Sequence, residues 1–234
     1  MTQTEQLIKN FARVRERIAT ASGGREVVLQ AATKTIPAES INLCAEQCAL
    51  RVIGENRVQE LLDKYDQLDR SKLEIHFIGT LQRNKVRKII DKVDMIESVD
   101  SLPLAAEIDR QAEIAGKIMP VLVEINIGRE LEKGGVMPDE MPEFLHKIMR
   151  LKNISVRGFM TMAPKCRTQG EYAKYFEAAR QISLDNRLQI CDNLWAGNLS
   201  DRSSPVLSMG MSDSYVTAVL SGATTVRVGN ALFK

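Results

Sequence analysis

Histidine is nearly absent from this sequence: 234 residues contain two, His76 and His146. That scarcity leaves little material for a histidine-based triad or a two-histidine metal centre. The four cysteines, Cys44, Cys48, Cys166 and Cys191, are too few and too scattered for a disulfide framework, so reduced thiols are the expectation. Cys44 and Cys48 stand four apart on a helical pattern, but no His or Cys cluster completes a tetrahedral set, and they read as packed thiols. An excess of one charge is also missing. Lys and Arg total 32 and Asp and Glu 30, a net +2, which provides no strong field for nucleic acid or an anionic membrane. No apolar run approaches the roughly 18 residues of a membrane span. The opening segment Met1 to Ile18 interleaves Glu5, Lys9, Arg13, Arg15 and Glu16 with apolar positions, unlike a signal peptide, and a cytoplasmic location is expected. With no linker, low-complexity tract or fixed repeat, residues 1–234 read as a single domain.

What is present is ordinary globular material, 44% hydrophobic and 26% charged, in which apolar periodicity switches repeatedly between the helical spacing and short β-branched runs. A first helix is expected from about Thr4 to Ala19, with Leu7, Phe11, Val14 and Ile18 on one face and Ser22-Gly23-Gly24 ending it. Eight strands are expected, at Val27–Thr33, Arg51–Ile53, Glu74–Ile78, Met95–Ser98, Val121–Ile127, Ser155–Phe159, Val206–Met209 and Thr225–Val228. Helical patterns separate them near Ser40–Ala49, Val58–Gln67, Lys85–Lys92, Leu102–Ala115, Glu140–Arg150, Tyr172–Leu188 and Ser212–Leu220. Strands alternating with helices imply parallel pairing through right-handed crossovers. Eight such units in this length point to a single (β/α)8 TIM-type barrel with an extra N-terminal helix, near the lower end of a fold that typically takes about 250 residues. An open doubly wound sheet is the alternative. The segment from Cys191 to Pro205 is the least patterned and reads as a long loop or a marginal strand plus turn.

On the barrel reading the chemistry converges at the C-terminal ends of the strands. That mouth would hold Lys34, Asn56, Gly79, Asn126, Met160, Ser208 to Ser212, and Arg227-Val228-Gly229. Lys34 follows an apolar run, so its amine is expected at the edge of a desolvated interior, where the neutral, nucleophilic form is favoured and a Schiff base is feasible. A lysine snorkelling at a strand end is the plainer alternative. Ser208-Met209-Gly210-Met211-Ser212-Asp213 passes from strand to helix and would present amides to a phosphate, with Val228-Gly229-Asn230 adding more; equally, Ser212 is an N-cap and Gly229 a turn residue. Arg227 lies between two valines in an interior strand and must find a partner: a buried carboxylate, a cofactor ring nitrogen or a substrate carboxylate. His76, alternating with Ile75 and Phe77, reads as a hydrogen-bonded structural histidine. Arg83, Lys85, Arg87 and Lys88 lack interleaved aromatics and read as a solvated helix face, with RNA contact the less favoured reading.

Taken in order, Ala32-Thr33-Lys34-Thr35 with Pro37, Gly54-Glu55-Asn56 with Val58-Gln59-Glu60, and His76-Phe77-Ile78-Gly79 with Leu81-Gln82 and Asn84-Lys85 form a pattern. It continues through Arg157-Gly158-Phe159-Met160, Ser208 to Asp213 and Val226-Arg227-Val228-Gly229. From about Val27 to Phe233 the chain resembles the pyridoxal phosphate homeostasis protein family, related to the barrel domain of alanine racemase. The resemblance implies pyridoxal 5′-phosphate held as a Schiff base on Lys34. It implies a phosphate site at Ser212 and the amides around Met211, Val228 and Gly229, and a pyridine nitrogen facing Arg227. Asn56 and Met160 would line the ring, with Ser208 in the same cofactor-binding set and no catalytic or metal-binding residue. An arginine at the ring nitrogen opposes its protonation and weakens the electron sink.

Alanine racemases of this architecture add an all-β domain and a tyrosine from a partner subunit. This chain stops at Lys234, so the expected function is a carrier or buffer in vitamin B6 and amino-acid balance, more a binding protein than an enzyme. It would work as a monomer, with pyridoxal-phosphate-requiring apoenzymes as candidate recipients. An amino-acid racemase using the same lysine is the alternative, and a phosphate-binding aldolase a further one. Three positions depart from the family pattern: Ile36 where a second lysine is common, Asn230 where threonine is frequent and Val216 where an acidic residue is usual. Lys234 also replaces a terminal glycine.

Overall fold

The computed structural model describes residues 2–190 and 205–234; Cys191 and most of the unpatterned segment after it lie outside the described residues. Eight parallel strands close a barrel in sequence order. They are β1 Val28–Ala32, β2 Val52–Glu55, β3 Glu74–Phe77, β4 Met95–Val99, β5 Met119–Ile125, β6 Ile154–Thr161, β7 Val206–Ser208 and β8 Thr225–Val228. All eight coincide with the strands read from the sequence, and their closure excludes the open sheet. The ring is completed where β1 pairs with β8, Gln30 opposite Arg227 and Ala31 opposite Val228.

The helices are α1 Gln3–Ser22, α2 Ala38–Gln47, α3 Val58–Lys64, α4 Val86–Ile89, α5 Leu102–Ile114, α6 Met141–Ile148, α7 Gln169–Asp185, α8 Tyr215–Leu220 and α9 Asn230–Phe233. α1 starts at a capping box in which Thr2 and Glu5 exchange hydrogen bonds, and it ends at Gly23 in the left-handed region. Its predicted stripe of Leu7, Phe11, Val14 and Ile18 is buried. The stripe matters to the mouth because α1 packs on α8 and α9. Asn10, 1% exposed, donates from Nδ2 to the carbonyls of Leu232 (3.0 Å) and Lys234 (3.1 Å), and Phe11 meets the Phe233 ring edge-on at 6.1 Å. The extra helix therefore braces the chain that follows β8.

Two elements differ from the sequence reading. Where one helix is expected over residues 85–92, a 3-10 turn at Arg83–Lys85 runs into the single turn α4, which ends at Ile89. Of its basic residues Arg83, Arg87 and Lys88 are exposed and Lys85 half-buried, as a solvated face requires. The last helix was expected from Ser212, but α8 starts at Tyr215, because the Ser214 hydroxyl accepts from the Met211 amide and holds residues 211–214 as a turn. Gly210 precedes it at φ +90°, where a Cβ would lie 2.5 Å from that of Ala218, so only glycine lets β7 pass this closely over α8.

Candidate functional site

The first side of the mouth is the turn after β1. Thr33 takes the last buried position, its amide donating to the Gly54 carbonyl (3.0 Å) and its hydroxyl bonding the buried Glu55 carboxylate. Thr35 then adopts φ +62°, a conformation β-branched residues rarely enter and one that concentrates at functional turns. Lys34 lies within this turn and is exposed. The desolvated amine expected from the apolar run is thus corrected: the run ends one residue before the lysine.

Beneath the turn, Lys64 at the end of α3 is buried and spends its ammonium on the Thr33 carbonyl (2.9 Å), the Ile36 carbonyl (3.2 Å) and Glu55 (2.7 Å). Burial pushes the Glu55 carboxyl up, against the pull of Lys64 and Thr33. On the outer side Glu60 accepts from the Thr35 amide at 3.1 Å. The Lys34 turn is therefore tied from both β2 and α3.

The opposite side is built by the chain after β7 and β8. The amides of Gly229 and Ala231 both donate to Ser212 Oγ, at 3.3 and 3.2 Å. Ser212 is thus not a helix cap of α8, as one reading had it, but the partner of N–H groups at the start of α9, a helix the sequence reading lacked. The Met211 amide is occupied by Ser214, and the Met211 side chain is exposed. Because β1 and β8 are neighbours, the two sides meet: a Cβ on Gly229 would lie 3.2 Å from the Ala32 carbonyl, two residues before Lys34.

Between them the barrel interior is polar. Arg227 is fully buried and donates to Ser208 Oγ (2.6 Å) and the Thr161 carbonyl (2.8 Å); burial pulls its pKa down, while Glu97 and Glu124 hold it up. No carboxylate among the described residues pairs with it directly. Ser208 instead passes the contact on, donating to Glu97 at 2.6 Å. Glu97 also accepts from Gln30 (2.8 Å) and meets His76 Nδ1 at 2.7 Å. Although burial opposes its charge, His76 is raised to about 9 by the carboxylates of Glu74 and Glu97. Burial likewise opposes ionisation of Glu97, but His76, Arg227 and Ser208 hold it below the usual carboxylate range. Glu124 goes the other way, pushed up to about 7 by burial and by Asp100 against the pull of Arg227.

Of the residues named from sequence, Lys34, Asn56, Ser212, Val228 and Gly229 gather at the strand ends, while Ser208, Met160 and Arg227 lie buried inside. Asn126 serves its own loop, bonding the Glu130 amide and carbonyl. Glu97, Glu124 and Lys64 escaped the sequence reading, and Glu55 entered it only within the Gly54-Glu55-Asn56 motif, with no role. The signal that marks Arg227, a charge at an inward strand position, marks Glu97 and Glu124 equally.

The fold and this mouth define a (β/α)8 barrel of the alanine racemase N-terminal type, and a family model described as alanine racemase, N-terminal domain, matches residues 3–234. A "Pyridoxal phosphate homeostasis protein" of Aquifex aeolicus is 38% identical over 234 residues, covering 100% of this chain and 98% of that one. Its namesake in Escherichia coli K12 is 35% identical, covering 96% and 94%. The structure of PipY of Synechococcus elongatus, solved with PLP bound, is 34% identical and covers 97% of this chain and 100% of its own, at a TM-score of 0.79. The chain belongs to the pyridoxal phosphate homeostasis protein family. An alanine racemase of Clostridium difficile shares the fold alone, at 17% identity and a TM-score of 0.68 with 56% of its length covered.

Proposed function

We propose that this chain holds pyridoxal 5′-phosphate at the barrel mouth, bound covalently to Lys34, and acts as a carrier or buffer of the cofactor rather than as a racemase. The observation that carries the reading is the juxtaposition of an exposed lysine after β1 with the polar cluster that Ser212 after β7 forms with the Gly229 and Ala231 amides after β8, on adjoining strands of one barrel. The polar groups suit the cofactor. Asn56 Oδ1 is buried after β2 without a hydrogen-bond partner, and Arg227 lies buried in β8, held by Ser208 and the Thr161 carbonyl.

Pyridoxal phosphate supplies an aldehyde, a basic ring nitrogen and a dianionic tail. Lys34 is the amine for the aldehyde carbon. Ser212 and the Gly229 and Ala231 amides, which bond one another through Ser212 Oγ in this structure, would turn to the tail as donors, with Met211 and Val228 beside them, and Asn56 and Met160 would flank the space between. Arg227, held by Ser208 and the Thr161 carbonyl, opposes a second positive charge on a ring nitrogen set against it. That makes the ring a weaker electron sink than a protonated one. The full-length match to relatives named for cofactor homeostasis supports the same reading. It extends to a cytoplasmic monomer that passes cofactor to apoenzymes; among the described residues no helix is long and apolar enough to cross a membrane.

The test is the visible spectrum of the purified protein mixed with one equivalent of cofactor. A band above 400 nm, distinct from free cofactor and absent in Lys34→Ala, is expected; an identical spectrum in Lys34→Ala contradicts the assignment. Loss of optical rotation from an enantiopure amino acid, dependent on Lys34, would contradict the storage role.

A further inference from the structure

Next to the mouth, outside the cofactor site, a cavity of about 310 Å³ opens between the start of α3 and the turn leading to α4. The loops after β2 and β3 touch beneath it: a Cβ on Gly79 would lie 2.0 Å from the Asn56 carbonyl oxygen. Its walls carry three cations, Arg57, Lys85 and Lys88, and the neutral polar side chains of Asn56, Gln59, Thr80 and Gln82, with Val58 as the single aliphatic residue. Lys85 and Lys88 pair with no carboxylate among the described residues. Arg57 gives one nitrogen to Glu60 at 3.1 Å and keeps a 77% exposed side chain.

We propose that this cavity is a second, non-covalent anion site that takes a small phosphate monoester with a polar body, distinct from the Lys34 site it adjoins. Three cations around one concave volume, two of them unneutralised, favour a compact dianion. The amide and hydroxyl groups between them suit hydroxyls or carbonyls on the rest of the ligand, and the near absence of apolar wall excludes a hydrophobic one. The volume is at the small end of ligand pockets, which fits a metabolite better than a macromolecular segment. No aromatic side chain lines it, so stacking of a nucleobase has no platform. Through Asn56 the cavity borders the cofactor site, which gives a ligand there a direct way to alter cofactor retention.

The experiment separates the two sites. Protein loaded with pyridoxal phosphate and reduced with borohydride has its first site filled irreversibly; it is then titrated calorimetrically with inorganic phosphate and with glycerol 3-phosphate, glycerol serving as control. One further site per chain is expected, weakened by salt and weakened about tenfold or more in Arg57→Gln/Lys85→Gln/Lys88→Gln, whose changes are on exposed or half-exposed side chains. Glycerol should not bind. No binding to the reduced protein, or binding unchanged in the triple variant, overturns the proposal. Should the reduction label no lysine, the cofactor reading fails, and the same titration of untreated protein still decides this one: a site lost in the triple variant supports it, and its persistence there refutes it.

Discussion

Glu124 and His76 set opposite demands at the residue scale. Glu124, pushed up to about 7 from 4.5, contributes fully to stability only below its unfolded value, and the contribution is lost as pH rises through 7. Glu124→Gln removes that ionisation. Its stability relative to the parent is expected to rise from pH 5 to pH 8, by on the order of 1–3 kcal/mol in urea unfolding; a difference flat with pH would contradict the assignment. His76 is raised to about 9 from 6.5, so its contribution is full below 6.5 and fades as pH climbs through 9. His76→Leu leaves Glu97 buried without its cation and should cost about 3–5 kcal/mol at pH 6, less at pH 9.5. Equal costs at both pH values would show that His76 is neutral in the fold. A hydrogen-bonded structural histidine can be read at position 76 from its strand; that Glu97, 21 positions later, is its partner cannot, because that contact depends on how β3 and β4 are staggered.

At the element scale, the turn after β1 is positioned by α3. Lys64 ends that helix and binds two carbonyls of the turn together with Glu55, so its loss frees Thr35 from a strained conformation and leaves a buried carboxylate alone. Lys64→Met is expected to destabilise the protein by about 3–5 kcal/mol. In protein still folded at low temperature, it should slow cofactor incorporation at Lys34 while leaving the phosphate donors of Ser212 in place. Normal incorporation kinetics would show that the clamp does not position the lysine. The elements themselves were legible because β-branched runs alternate with amphipathic stretches. What was not legible was short: α9 spans four residues with no room for a periodic signal, and the start of α8 was misplaced because the Ser214 hydroxyl, not Ser212, closes the turn before it.

For the whole molecule, barrel closure is what turns scattered residues into one site. Lys34 and Gly229 are 195 positions apart in sequence and adjoin because β1 pairs with β8. Periodicity announces the strands and hence the ring, so the mouth residues could be named in advance. Exposure could not, since whether Lys34 is buried or exposed depends on the single turn at Thr35. α1 adds a brace outside the repeating units, its Asn10 and Phe11 holding the chain after β8 where Ser212 finds its donors.

The most direct test of a cofactor held on Lys34 is borohydride reduction of the loaded protein followed by tryptic peptide mapping. Modification of Lys34 blocks cleavage there, so the account predicts one labelled peptide, residues 26–51, carrying a single reduced pyridoxyl phosphate. Label on another lysine, with Lys34 still cut by trypsin, would contradict it.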